Sequence, residues 1–133
     1  MKFNSQICTS REQSERLLAL GLKKETADMY YSYDIICAKP YYKVVEFMNG
    51  CVPEDIFPAW SLHRLIEMMP QIIGHLELAV NDAFVGYYED RCESETGMYW
   101  EHTEESSNLY DNLISCIEWL IKEGYFNKEY LEE

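Results

Sequence analysis

Apolar residues recur along this chain with two rhythms, every third or fourth position in some stretches and every second in others, which predict helices and strands respectively. The helical rhythm is clearest from Pro58 to Ile73. There Leu62, Leu65, Ile66 and Met69 form one stripe, Ser61 stands where an N-cap hydroxyl accepts from a first-turn amide, and Trp60 precedes it as a staple onto Leu65. Pro70 has no amide proton to give and clashes with the carbonyl of Ile66, so the helix is expected to stop or kink there. A helix of about two turns is held only by tertiary packing, which makes this stretch scaffold before anything else.

The remaining elements follow in chain order. Thr9-Ser-Arg-Glu12 and the overlapping Ser10-Arg-Glu-Gln13 both satisfy the capping-box pattern, and the helix that begins there runs through Leu17, Leu18 and Leu20 to a C-terminal stop at Gly21, with Leu22 folding back on it. Its polar first two turns predict burial of the second half only. Lys23 to Thr26 reads as an exposed connection. Tyrosines and β-branched residues between Ala27 and Met48 predict strands near Met29 to Ile36 and Tyr41 to Phe47, separated at Lys39-Pro40 and ended by Asn49-Gly50. Cys51 to Pro58 is expected as an irregular loop.

Leu76 to Val80 alternates, Asn81-Asp82 turns the chain, and Phe84 to Glu89 returns as the second strand of a hairpin. Met98 to His102 adds a third strand, so the three form a meander with Leu76, Leu78 and Val80 on the core face. Gly86 marks a bulge or a close helix contact. Ser107 or Asn108 caps a last helix whose stripe is Leu109, Leu113, Cys116, Ile117 and Leu120, widened by Tyr110, Ile114 and Ile121 and closed by Gly124. Trp119 lies beside that stripe, placed to cover the sheet edge. The tail from Tyr125 to Glu133 matters to the fold only through docking of Tyr125, Phe126 and Leu131. Helix, two strands, helix, three strands, helix is the order of a single α+β domain over residues 1–133, with a mainly antiparallel sheet of about five strands packed by three helices.

Composition narrows what such a domain does. The 133 residues are 47% hydrophobic and 14% aromatic, which suits one folded core, and no run approaches the length of a membrane span. The N-terminal residues lack an apolar signal region, so a cytoplasmic setting is expected. A net charge of -13, from 24 acidic and 11 basic side chains, repels a phosphate backbone and excludes direct nucleic-acid binding, while it favours encounter with a basic protein. Cys8, Cys37, Cys51, Cys92 and Cys116 are odd in number and contain no C-x-x-C, so neither a disulfide framework nor a zinc ribbon is written here.

Candidate chemistry is sparse. His63 lies in a first helical turn and faces solvent, His75 precedes a strand, and His102 ends one among Glu101, Glu104 and Glu105; a small enzyme using His102 with Glu101 is one alternative. There is no G-x-S-x-G elbow, no H-E-x-x-H, no phosphate-binding glycine loop, and the cluster Glu89, Asp90, Glu93 and Glu95 lacks the order of a calcium loop. No catalytic residue, cofactor or metal ligand is assigned. The adjacent pairs Tyr30-Tyr31, Tyr41-Tyr42 and Tyr87-Tyr88 place one ring of each on an outer sheet face, which nominates Tyr31, Tyr42 and Tyr88 as an interaction surface.

The run from Cys8 to Met29, together with Pro58-Ala-Trp-Ser-Leu and Arg64-Leu-Ile-Glu-Met-Met-Pro70, resembles a family of small proteins of gut Bacteroidales genomes, often carried on phage-like or other mobile elements. The resemblance implies such an origin and a cytoplasmic setting, and brings no activity, cofactor or catalytic residue with it. The leading expectation is a non-enzymatic accessory or protein-interaction domain. A second is an acidic inhibitor that imitates nucleic acid to occupy a basic protein.

Overall fold

In the computed structural model, which describes residues 5–32, 40–42, 56–90 and 97–133, helix α1 (Arg11–Ala19) starts from the second of the two capping boxes. The Ser10 hydroxyl accepts from the Gln13 amide at 3.2 Å and the Gln13 side chain accepts from the Ser10 amide at 2.9 Å, so two amides that a helix start leaves unpaired are satisfied. Thr9 is buried instead, with its hydroxyl 2.7 Å from Ser14 Oγ and accepting from the Trp60 amide at 3.0 Å. Past the end of α1, Gly21 takes a φ of 100°, a left-handed conformation open to glycine at little cost.

The described residues are α+β, with three α-helices and two antiparallel sheets of three and four strands. They divide into two units, Met1–Ile66 with Lys128–Glu133 and Glu67–Asn127. Among the described residues no helix is long and apolar enough to cross a membrane.

In the first unit β1 (Met29–Ser32) is central, flanked by β2 (Pro40–Tyr42) and β3 (Ile56–Ala59). The end of the stretch expected as an irregular loop is thus a strand, in register Tyr30↔Pro58 and Tyr31↔Phe57. Pro58 is tolerated because β3 is an edge strand of this sheet, where a missing amide proton breaks no ladder. The expected continuations of the tyrosine strands to Ile36 and Phe47, the Asn49-Gly50 stop and the start of the Cys51 loop lie outside the described residues.

Helix α2 (Leu62–Met68) is capped as its sequence predicts, and more firmly. Ser61 Oγ accepts from the Arg64 amide at 3.2 Å, and the Asp28 carboxylate accepts from both the Ser61 amide, at 2.8 Å, and the Ser61 hydroxyl. Trp60 is fully buried and its indole donates to Thr26 Oγ1 at 2.9 Å, while the Arg64 guanidinium donates to the Thr26 carbonyl at 2.8 Å. The helix ends two residues before Pro70. The tail closes the unit: Leu131 bridges to Leu22, the Lys23 amide donates to the Tyr130 carbonyl at 2.9 Å, and the Glu132 amide donates to the Gly21 carbonyl at 2.7 Å.

The second unit holds the meander β5 (Leu76–Val80), β6 (Phe84–Asp90) and β7 (Met98–Glu105), joined by a two-residue strand β4 (Ile72–Ile73) that pairs with β5 through the turn at Gly74. The Asn81 side chain accepts from the amides of Ala83 and Phe84 at 2.7 and 2.9 Å, which fixes the β5–β6 turn. Helix α3 (Leu109–Glu123) is capped by Asn108 and ends at Gly124, where the Tyr125 amide returns to the Leu120 carbonyl at 2.8 Å. It packs on the sheet, and the fully buried core comprises Val85 and Tyr87 from β6 with Leu113, Ile114, Cys116, Ile117 and Leu120 from α3. The buried Asn112 side chain donates to the carbonyls of Ala83 and Ser106 at 3.4 and 3.3 Å and so ties the helix to the hairpin turn.

Gly86 answers to a close approach, made by a strand. A Cβ built on it stands 2.4 Å from the His102 carbonyl oxygen and 3.2 Å from Thr103 Cα, both backbone atoms of β7. Replacing Gly86 with alanine is expected to lower stability by about 2 kcal/mol or more, because backbone in a paired strand yields little; an unchanged urea midpoint would refute the contact. Deletion of residues 128–133 is expected to speed hydrogen exchange at the Lys23 amide by roughly tenfold. A Lys23 amide equally protected in the shortened chain would mean that the tail's contacts are incidental.

Candidate functional site

The decisive feature of the second unit is a register shift between β6 and β7. Tyr87 stands opposite His102 and Tyr88 opposite Trp100, so two residues of β6 face three of β7 and Glu101 has no opposite number. Strict alternation would put Trp100 and His102, two residues apart, on one face. The extra residue sends them to opposite faces.

His102 turns toward α3. Its ring stacks on Trp119 at 4.4 Å between centroids and 8° between planes, and its Nε2 lies 2.8 Å from Glu104 Oε1. Trp119 also meets Tyr87 and Tyr125, each at 5.8 Å. The pair formed by His102 is therefore with Glu104, while Glu101 Oε2 accepts from the Tyr99 hydroxyl at 3.0 Å. This imidazole docks β7 against the helix through a flat aromatic contact, while its carboxylate partner lies on β7 itself. The nearby thiol is inert at neutral pH, since burial and then the charge of Glu104 push Cys116 up to about 12. His63 and His75 are exposed. Among the described residues no group of three or more His, Cys, Asp or Glu is arranged to hold a metal ion.

Trp100 turns the other way and builds an aromatic patch. Its ring lies 5.2 Å from Phe84, edge to face, and 5.2 Å from Tyr88, tilted by 40°. Phe84 and Tyr88 flank Gly86 at two positions on either side, so the indole spans the place where β6 carries no side chain. Cross-strand pairing puts Glu77 beside Tyr88 and Ile72 beside Glu77 on this same outer face. Ile72 is 65% exposed and Met98 39%, unusual for large apolar side chains on a strand. At one end of the face a cleft of about 510 Å³ is lined by His75, Glu77, Tyr88, Glu89 and Asp90. The Tyr88 hydroxyl donates to Glu77 Oε2 at 3.2 Å, and that bond together with the Glu77 charge holds its phenol above the ordinary value.

The three tyrosines nominated by sequence are placed differently. Tyr88 is on the outer face and lines the cleft. Tyr31, in the first unit, is half-buried against Cys8, Met29 and Ala59, donates its hydroxyl to the Thr9 carbonyl at 3.0 Å, and carries the Arg11 guanidinium 5.5 Å above its ring. Its phenol serves the fold of that unit as much as any surface. The backbone of Tyr42, in β2, pairs with Met29 of β1, and its side chain lies outside what the structure describes, as do Glu93, Glu95, Cys37, Cys51 and Cys92. Sequence reasoning missed Phe84 and Trp100 as partners of Tyr88. The signal was present in a glycine inside a strand with aromatics two places away on both sides and a tryptophan in the next strand. Comparison with protein-family models, with curated proteins and with solved structures gives no match.

Burial raises the Tyr87 phenol as well as the Cys116 thiol, in both cases as the leading cause. Between pH 9.0, the ordinary value for a thiol, and about 12, an unfolded chain has released the Cys116 proton and the folded chain has kept it. The unfolded state then binds fewer protons, so this contribution is intact below pH 9.0 and is lost as pH rises through that window. Urea midpoints measured from pH 8 to 11 are expected to fall, and to fall less steeply in Cys116→Ala. Parallel slopes in the two proteins would show that this thiol is not protected by the fold.

Proposed function

We propose that the chain is a non-enzymatic interaction module whose contact surface is the outer face of the β4-β5-β6-β7 sheet, centred on Tyr88 and Trp100. The observation that carries this reading is the asymmetry of that sheet. One face is packed by α3 over β6 and β7, with Val85, Tyr87, Leu113 and Ile117 fully buried. The other gathers Phe84, Tyr88 and Trp100 and leaves Ile72 and Met98 exposed, and within the second unit no described element covers it. Aromatic rings and methionine are what protein contact surfaces enrich, because they supply large area with few rotatable bonds. His102, joined to Glu104, is stacked against a helix, and the Cys116 thiol of that helix is buried and protonated, which supports a binding role over a catalytic one.

The reading is tested with the full chain as bait in extract of its native host, beside Met98→Asp and Trp100→Ala. Both substitutions lie on a face away from the helix core and are expected to keep the cooperative melt of the parent. A protein retained by the parent and reduced at least about fivefold with both variants supports the surface. Retention that ignores both substitutions, or no retained protein at all, overturns it.

A further inference from the structure

Resting on that reading, we infer that the occupant of this face is an extended, arginine-bearing basic segment of a partner protein, with one arginine stem laid over Tyr88 and Trp100 and its guanidinium in the adjoining cleft. Charge is the first argument. Strands β4 to β7 carry Glu77, Glu89, Asp90, Glu101, Glu104 and Glu105 and not one lysine or arginine, so the strands that expose the aromatic patch are strongly acidic. An approaching basic segment is steered to this sheet, and an acidic one is repelled.

The geometry selects among basic groups. The cleft is lined by Tyr88 and His75 with the acidic residues Glu77, Glu89 and Asp90, so aromatic and acidic residues border it together. A guanidinium satisfies both, because it is planar enough to stack on a ring and forked enough to pair with carboxylates, and its three-methylene stem is apolar where it crosses Trp100. An ammonium is a point charge that prefers its water. The exposed Ile72 and Met98 offer apolar footing to the residues on either side of that arginine, which an isolated cation would not use. A cleft of about 510 Å³ is roomy for one side chain and suits a segment of chain.

The test titrates the isotopically labelled full chain with three synthetic dodecapeptides that alternate valine with arginine, with lysine or with citrulline, read by amide chemical shifts. Citrulline keeps the shape of arginine without the charge. The inference expects the arginine peptide to move the amides of Glu77, Tyr88, Asp90 and Trp100 as one set. It expects the lysine peptide to bind several-fold more weakly and the citrulline peptide at least about tenfold more weakly. Affinity should fall about fivefold in the double variant Glu77→Gln, Asp90→Asn and fall further in salt, while Glu123→Gln, an exposed change on α3, leaves it intact. Shifts scattered over the chain, or an equal loss with Glu123→Gln, mean attraction to the net charge alone and overturn the inference. Equal binding of the citrulline peptide at the same amides overturns the arginine and leaves the contact surface standing. Silence of all three peptides overturns the basic segment, and the bait experiment above then decides whether the surface itself survives.

Discussion

One unpaired residue, Glu101, decides what each face of the second sheet is made of. Two residues of β6 face three of β7 at that point, and the backbone of β7 comes so near Gly86 that no side chain fits there. With even alternation, Trp100 and His102 would compete for a place under α3. With the bulge, the imidazole goes inward to lie flat on Trp119 and the indole goes outward to lie across the glycine. Each aromatic pair is worth about 1 kcal/mol beyond the area it covers. The larger effect is geometric, since a single irregularity creates both the helix contact and the exposed patch.

The first unit is ordered by a different kind of interaction. Its polar side chains form a connected, partly buried set: Thr9 holds the Trp60 amide, Thr26 receives the Trp60 indole and the Arg64 guanidinium, and Asp28 grips Ser61 at the start of α2. Among the described residues no buried side-chain polar atom lacks a partner. Such a set specifies one arrangement more sharply than apolar packing does, because losing any member strands a desolvated partner at a cost of about 1–3 kcal/mol.

What could be read from the sequence was what is local. Ser10 with Gln13, Ser61, Asn108 and Gly124 all cap or close helices as their positions announce, because a cap involves residues three or four apart. The alternation of Leu76, Leu78 and Val80 puts Leu78 opposite Tyr87 and Val80 opposite Val85, as expected of a hairpin. Pairing between distant segments was not legible. Pro58 argues against a strand until its neighbour shows it to be an edge, and the division of the strands into sheets of three and four depends on partners far apart in sequence. The candidate site shows the same limit. Tyr88 was nominated because adjacent tyrosines in a strand must part ways, and Tyr87 is indeed inside. Trp100 was not nominated, since the face it takes depends on the extra residue at Glu101, and Glu101 was named with His102 for its adjacency, where alternation along the strand leads to Glu104.

The docking of Leu131 beside Leu22 and of Tyr130 beside Lys23 carries a consequence for how the chain is born. A ribosome releases residues in order, so the piece that completes the opening half emerges after the whole of the 67–127 stretch. Until then Leu22 waits without its cover, and the helix-backed sheet can assemble first. Completion of the first unit is thereby timed by the synthesis of residues 128–133.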